Sequence, residues 1–341
     1  MMMIITVPAG LEGVVVAETA ISLIDGEQGR LSYRGVDIQE VVNRFGRWED
    51  LLPWLVLSQV TEVVPSCDGC RAGDGGTDEP MVRLIRLLID GQSRWPFKDN
   101  GSELTWLASL PPRFAGVDPS GFSSVAAAYL TGIRGGRPPT AAEERALNAY
   151  WVMSAEHGLN ASTFAVRVAA STASSLPLAL AAGVAALAGP LHGGAPEGVL
   201  ALLQETQDVD DLDHYLTEKV LNGERLMGFG HRVYRTRDPR AEALSQVFRD
   251  LASDHDVVDR ALRLEESALR VLGQQKPNRP LQTNVEYYAA VLMEALGIAP
   301  ELCPVTFACG RLAGYAAHYH EQRATGRLIR PLASYNPAVG Q

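Results

Sequence analysis

Cysteine, aromatic side chains, basic charge and long apolar runs are all scarce in this 341-residue chain, and each shortage excludes something. The four cysteines (Cys67, Cys70, Cys303 and Cys309) are too few for a disulfide scaffold. Cys67 and Cys70 form a CxxC inside PSCDGCRAGDGG, but the second pair has five residues between its members, a poor fit to a zinc ribbon. A surface loop with reduced thiols is expected there, and no metal. The longest apolar stretch, Leu176 to Ala188, has 13 residues and contains Pro177 and Gly183. A membrane span needs about 20 residues, so this stretch reads as a buried helix. Lys and Arg total 30 against 40 Asp and Glu, a net charge of −10. An acidic surface repels nucleic acid and anionic lipid, so neither partner is expected. HExxH, Walker A, GxSxG and a complete GxGxxG are absent, which removes the common hydrolase, kinase and dehydrogenase readings. The opening MMMIITVPAGLEG lacks a basic n-region and an apolar core, and the expected location is the cytoplasm.

What is present is a globular composition, 46% hydrophobic and 21% charged. Between Val14 and Tyr33, Asp25-Gly26 and Gln28-Gly29 are turn signals, and Leu31 and Tyr33 alternate with polar residues, which predicts a short β-hairpin. Helical periodicity dominates afterwards. Thr140 with Glu143 forms a capping-box signature ahead of a helix with Leu147, Tyr150, Trp151 and Ser154 on one face. Asp238-Pro239 marks a second helix start, and a helix from about Val285 to Leu296 is closed by Gly297. Pro65 to Pro80 and Gly132 to Pro139 read as loops, and no repeat of 20–50 residues points to a solenoid. The predicted fold is mostly α.

Three histidines stand in conspicuous settings. His192 lies in GPLHGGAPEG, where glycines allow close approach of backbone to a ligand, just before a predicted helix start. The positive end of that helix would keep the imidazole neutral, ready to donate a hydrogen bond; the competing reading is a buried histidine satisfied by backbone carbonyls. His231 lies in MGFGHRVYRTRDPRA with Arg232, Arg235, Arg237 and Arg240. Guanidinium forks match carboxylates and phosphates, so the cluster fits a multiply charged anion, or else a solvated turn with surface ion pairs. His157 lies in AEHGLNAST, where a capped helix end is the alternative. His318 and His320 are two apart on a helix and point to different faces, so they do not readily share a metal.

Six stretches of this chain, in order, resemble the citrate synthase family in its shorter prokaryotic form: GLEGVVVAETAISLIDGEQGRLSYRGVDI, EHGLNASTF, GPLHGGA, GFGHRVYRTRDPRA, LQTNVEYYAAVLMEALGI and LIRPLASYNP. The resemblance implies a nearly all-α, two-domain homodimer. Residues 1–193 and 301–341 would form the large helical domain, and residues 194–300 a smaller, mobile one closing over substrate. By the same resemblance His192 stabilises the enol of acetyl-CoA, and His231 binds oxaloacetate and protonates its carbonyl. Glu286 stands at the catalytic base. Arg240 and Arg311 hold the oxaloacetate carboxylates, His157 is a further ligand of it, and Arg330 is donated across the dimer. Arg235 meets CoA phosphate. Acetyl-CoA is a co-substrate, and no bound cofactor is implied.

Two positions depart from the family pattern. The base is usually an aspartate in a motif like NVDFY, whereas here NVEYY places Glu286 one methylene further out. A capping box from Thr283 to Glu286 would give that glutamate a purely structural task. Ser154 stands where many relatives have a histidine. Three readings therefore follow: a synthase that makes citrate from oxaloacetate and acetyl-CoA, a 2-methylcitrate synthase that uses propionyl-CoA, and a paralogue that binds these ligands without turnover.

Overall fold

The computed structural model of the chain describes residues 9–11, 13–58, 63, 79–192, 197–230, 234, 238–251, 255–277 and 281–333. The predicted hairpin forms from β1 (Ser22–Asp25) and β2 (Arg30–Tyr33), paired antiparallel with Ile24 opposite Leu31. Asp25 Oδ1 accepts from the backbone N–H groups of Glu27 and Gln28, which closes the turn. A two-residue strand, β3 (Val36–Asp37), adds to β2 and completes an antiparallel sheet of order β1-β2-β3. Leu31 and Tyr33, the alternating apolar residues, are fully buried.

Among the described residues the rest of the regular structure is helical, apart from short 3₁₀ turns and an isolated β-bridge between Phe229 and Thr283. The large-domain candidates before residue 194 are α1 (Ile38–Arg44), α2 (Trp48–Leu57), α3 (Pro80–Asp90), α4 (Asn100–Phe114), α5 (Val125–Ile133), α6 (Ala141–Ser154), α7 (Ala161–Ser171) and α8 (Leu176–Leu187). Then come α9 (Glu197–Glu205), α10 (Leu212–Leu221), α11 (Pro239–Leu251), α12 (Asp256–Gln275) and α13 (Val285–Ala295), and finally α14 (Cys303–Thr325). The Thr140–Glu143 box is made in both directions, with Glu143 N–H on Thr140 Oγ1 at 3.2 Å and Thr140 N–H on Glu143 Oε2 at 2.7 Å. Gly297, at φ 61°, stops α13 in the left-handed conformation that favours glycine.

The 23-residue α14 is the axis of the core and packs against α2, α3, α4, α6, α7 and α8. Two buried tryptophans lock it in place: Trp48 Nε1 donates to the Gly310 carbonyl at 3.0 Å, and Trp151 Nε1 to that of Thr306 at 2.8 Å. Such a donor must be satisfied when buried, so these bonds fix the rotation of α14 as well as its position. α9, α12 and α13 pack on one another with α10 against α12, while α11 bridges from α13 to α1 and α6. Among the described residues no helix is long and apolar enough to cross a membrane. Cys303 and Cys309 are buried thiols on α14, while Cys67 and Cys70 lie outside the described residues.

Candidate active site

His192 follows α8 in a turn in which its N–H donates to the Gly189 carbonyl at 2.9 Å. Its Nε2 lies 2.7 Å from Ser162 Oγ and 3.3 Å from the Ser162 backbone N–H. Ser162 belongs to the first turn of α7, capped by Asn160, whose Oδ1 also accepts from the N–H groups of Ser162 and Thr163. A backbone N–H can only donate, so Nε2 is the bare nitrogen and the ring proton sits on Nδ1. Burial and then the charge of Arg311 hold the imidazole below its ordinary pKa. Both causes favour the neutral imidazole, while residues 193–196, which lead into the helix expected to act on it, lie outside the described residues.

Glu286 is the second residue of α13 and is exposed. The capping box from Thr283 does not form. Asn284 is the N-cap, with Oδ1 accepting from Tyr287 N–H at 3.2 Å, and Thr283 Oγ1 donates instead to Glu265. Glu286 is thus released from capping duty. Desolvation raises its carboxyl pKa, Arg240 opposes the rise, and Asp238 adds to it.

Arg240 is buried at the start of α11 and gripped by Asp238 through Nε–Oδ1 at 3.1 Å and Nη2–Oδ2 at 2.9 Å. Asp238 caps α11 as expected, its Oδ1 accepting from Arg240 N–H at 3.0 Å, and its Oδ2 also accepts from Val285 N–H at 3.3 Å. One carboxylate therefore ties this arginine to the first residue of the Glu286 helix. The glycine-rich GFG segment is stitched to the same place. Gly230 N–H donates to Gln282 O at 2.7 Å, Asn284 N–H to Gly228 O at 2.9 Å, and Asn284 Nδ2 to Gly230 O at 2.9 Å. Gly228 has φ 89°, and a β-carbon there would come within 2.7 Å of the Tyr287 ring, so both shape and space require glycine. His231 and Arg235 lie outside the described residues, as do Arg232 and Arg237.

Arg311, on α14, is 3% exposed. Its guanidinium lies 4.9 Å from the Phe307 ring centroid, and among the described residues its Nε has no hydrogen-bond partner. The fields of Arg311, Arg240 and Glu286 all act on the hydroxyl of Tyr150, whose pKa burial raises most. His157 Nε2 is 3.0 Å from the Tyr234 hydroxyl, and the Tyr234 ring in turn lies 6.0 Å from the Arg240 guanidinium. The geometry thus links His157, Arg240, Arg311, His192 and Glu286 through shared neighbours and fields. Arg330 is exposed on the extended tail after α14, where Ile329 N–H donates to Ser171 Oγ at 3.1 Å. Among the described contacts none joins Arg330 to the other candidates.

Several residues at the site were not anticipated: Tyr234, Asp238 as an orienting carboxylate, Ser162, and a buried chain behind His157. There Arg167 Nε donates to His318 Nδ1 at 2.9 Å, and His318 Nε2 donates to Glu156 Oε1 at 3.0 Å. Burial alone would raise the Glu156 carboxyl, but His318 and Arg311 hold it below its ordinary range. Tyr33 adds a second brace, its hydroxyl donating to the carbonyls of Met153 and Glu156 and accepting from Glu156 N–H. His320 has a separate partner, Glu103 Oε1 at 2.6 Å. Ser154, where many relatives have histidine, donates to Tyr150 O at 2.6 Å.

The family model for the C-terminal domain of citrate synthase matches residues 10–65 and 113–332. Citrate synthase of Haloferax volcanii is 32% identical, over 96% of this chain and 94% of its own length. The 2-methylcitrate synthase of Shewanella oneidensis is 28% identical, over 96% and 94%. Among solved structures, the ternary complex of citrate synthase from Thermoplasma acidophilum with carboxymethyl coenzyme A and oxaloacetate superposes with a TM-score of 0.78 at 25% identity, covering 98% of this chain and 97% of that one. A match that runs through the hairpin, α7, the His192 turn and α13 to the end of α14 leaves one assignment: the chain belongs to the citrate synthase family of acyltransferases.

Proposed function

We propose that the protein condenses oxaloacetate with acetyl-CoA and hydrolyses the resulting citryl-CoA to citrate and free CoA. The observation that carries this reading is the buried Nε of Arg311, unpartnered among the described residues, whose charge also acts on a His192 with its proton on Nδ1. A buried cation with an empty donor is costly unless an anion fills it, and a dicarboxylate answers that need. Arg240, already oriented by Asp238, supplies a second cation, and His157 a hydrogen bond. Glu286 removes a proton from the acetyl methyl group while His192 Nδ1–H donates to the thioester oxygen. The enol carbon attacks the oxaloacetate ketone, and His231 gives its proton to the new alkoxide. Water then cleaves the thioester, which releases CoA as the thiol. Acetyl-CoA is consumed as a co-substrate, Arg235 meets its phosphates, and the reaction uses no bound cofactor.

The reading includes a large domain of residues 1–193 and 301–341, a small domain of 194–300 that closes on substrate, and a cytoplasmic homodimer. The exposed position of Arg330 supports a role at a partner's site, since an arginine outside its own chain's cluster is useful there. A second reading is 2-methylcitrate synthesis from propionyl-CoA, favoured by the Shewanella oneidensis relative. One methylene discriminates by only about 1–3 kcal/mol, so the two chemistries share one machinery. Thiol-reagent detection of CoA release, with oxaloacetate and each thioester in turn, tests both. Release that requires both substrates is expected, with the higher kcat/KM naming the acyl chain. Folded protein silent with either thioester, or Glu286→Gln at the wild-type rate, would overturn the mechanism.

A further inference from the structure

We propose that Glu265 is a positioning residue for the base, an inference that rests on Glu286 being that base. Glu265 lies midway along α12 and is 9% exposed. Its Oε1 accepts from Thr283 Oγ1 at 2.5 Å and from the Tyr288 hydroxyl at 2.7 Å, and its Oε2 lies 2.6 Å from that same hydroxyl. Thr283 is the last residue before the Asn284 cap, and Tyr288 is two residues beyond Glu286. The carboxylate therefore grips the chain on both sides of Glu286 without touching the glutamate's own side chain. One turn earlier on α12, the Ala261 carbonyl accepts from Tyr287 OH at 2.6 Å, so the first turn of α13 is held at three points.

Stability alone does not explain such a group. Among the described residues Glu265 has no ion-pair partner, and a buried carboxylate without a cation is expensive compared with an apolar side chain of the same size. Two short hydroxyl bonds compensate it, and both hydroxyls belong to the base-bearing segment. Geometry is where the benefit falls. A glutamate has one more rotatable bond than an aspartate, so the backbone from which it reaches must be held more firmly. A misplacement of about 1 Å can cost roughly 100-fold in rate.

The test uses Glu265→Gln and Tyr288→Phe in the full-length protein, each checked for an intact thermal transition. Tyr288→Phe keeps the ring packing and removes only the hydroxyl, so it decides the matter if Glu265→Gln does not fold. Both variants are expected to lower kcat by about 10- to 100-fold, with KM for oxaloacetate within about twofold of wild type, because His157, Arg240 and Arg311 are untouched. A misplaced base also makes methyl C–H cleavage more rate-limiting, so the isotope effect on kcat with trideuterated acetyl-CoA rises. A smaller fraction of correctly folded enzyme would leave that isotope effect unchanged. Unaltered kcat in the folded variants, a loss with unchanged isotope effect, or a loss carried by KM for oxaloacetate overturns the proposal. Wild-type turnover by Glu286→Gln would instead remove the base reading beneath it.

Discussion

The Nε2 of His192 lies 2.7 Å from the Ser162 hydroxyl and 3.3 Å from the Ser162 backbone N–H, across thirty residues of sequence, and it is the backbone donor that decides which ring nitrogen carries the proton. With the Ser162 N–H also aimed at Nε2, the Nδ1–H is the only donor the neutral ring can present to a ligand. Ser162→Ala removes the shorter bond and leaves the backbone donor. A neutral hydrogen bond is worth about 0.5–1.5 kcal/mol, so kcat is expected to fall by about 3- to 10-fold. Steady-state kinetics should show KM for oxaloacetate nearly unchanged. A loss confined to KM would mean that Ser162 serves binding and does not orient the imidazole.

The pH dependence follows from two shifts of opposite sense. Desolvation raises Glu286, so the base becomes protonated, and idle, at a pH above the ordinary carboxylate range. Burial and Arg311 lower His192, so its neutral form persists to a lower pH than for a free imidazole. Activity should therefore be present on the alkaline side of both groups and be lost as the pH falls. The Glu286 carboxyl, elevated above its usual value, limits the acid side if its raised pKa exceeds that of His192. A kcat/KM profile measured for wild type and Ser162→Ala checks this, since altering the His192 tether should leave a Glu286-controlled limb in place.

Arg311 separates function from stability. Among the described residues its buried Nε has no partner, a desolvation cost that substrate would offset. Replacing it with methionine, Arg311→Met, should leave the thermal midpoint unchanged or higher. The same variant should raise KM for oxaloacetate at least about 10-fold, since a hydrogen bond to a charged group is worth about 1.5–3 kcal/mol. Calorimetric unfolding together with kinetics measures both. A large fall in the midpoint would show that the guanidinium is structural.

Local cues carried much of this fold, and their failures have identifiable causes. The Thr140–Glu143 box, the Asp238 cap and the Gly297 stop depend on neighbours within a few residues, and all three form where the sequence placed them. At Thr283 the local pattern misleads. Thr283 and Asn284 compete to cap α13, and Glu265, eighteen residues away, takes the threonine hydroxyl and leaves the cap to asparagine. β3 went unanticipated because two residues give alternation nothing to repeat. The pairs His192–Ser162 and His318–Glu156 span 30 and 162 residues, distances at which spacing says nothing and only packing decides. The histidines themselves were legible as candidates, but the groups that hold and tune them were not.

The bonds between the Gly228–Gly230 segment and the Gln282–Asn284 turn have a consequence for how this site tolerates change. Two of the three run between main-chain atoms, and the third needs only the asparagine cap. Such a frame does not register which side chains are mounted on it. Glu286 is mounted two positions past one rail, so it exchanges for an alternative without disturbing the rails. A glutamate can replace the family's aspartate here as a change of tool on an unaltered handle. Proline, which deletes the donor itself, is the substitution this joint cannot absorb at Gly230 or Asn284.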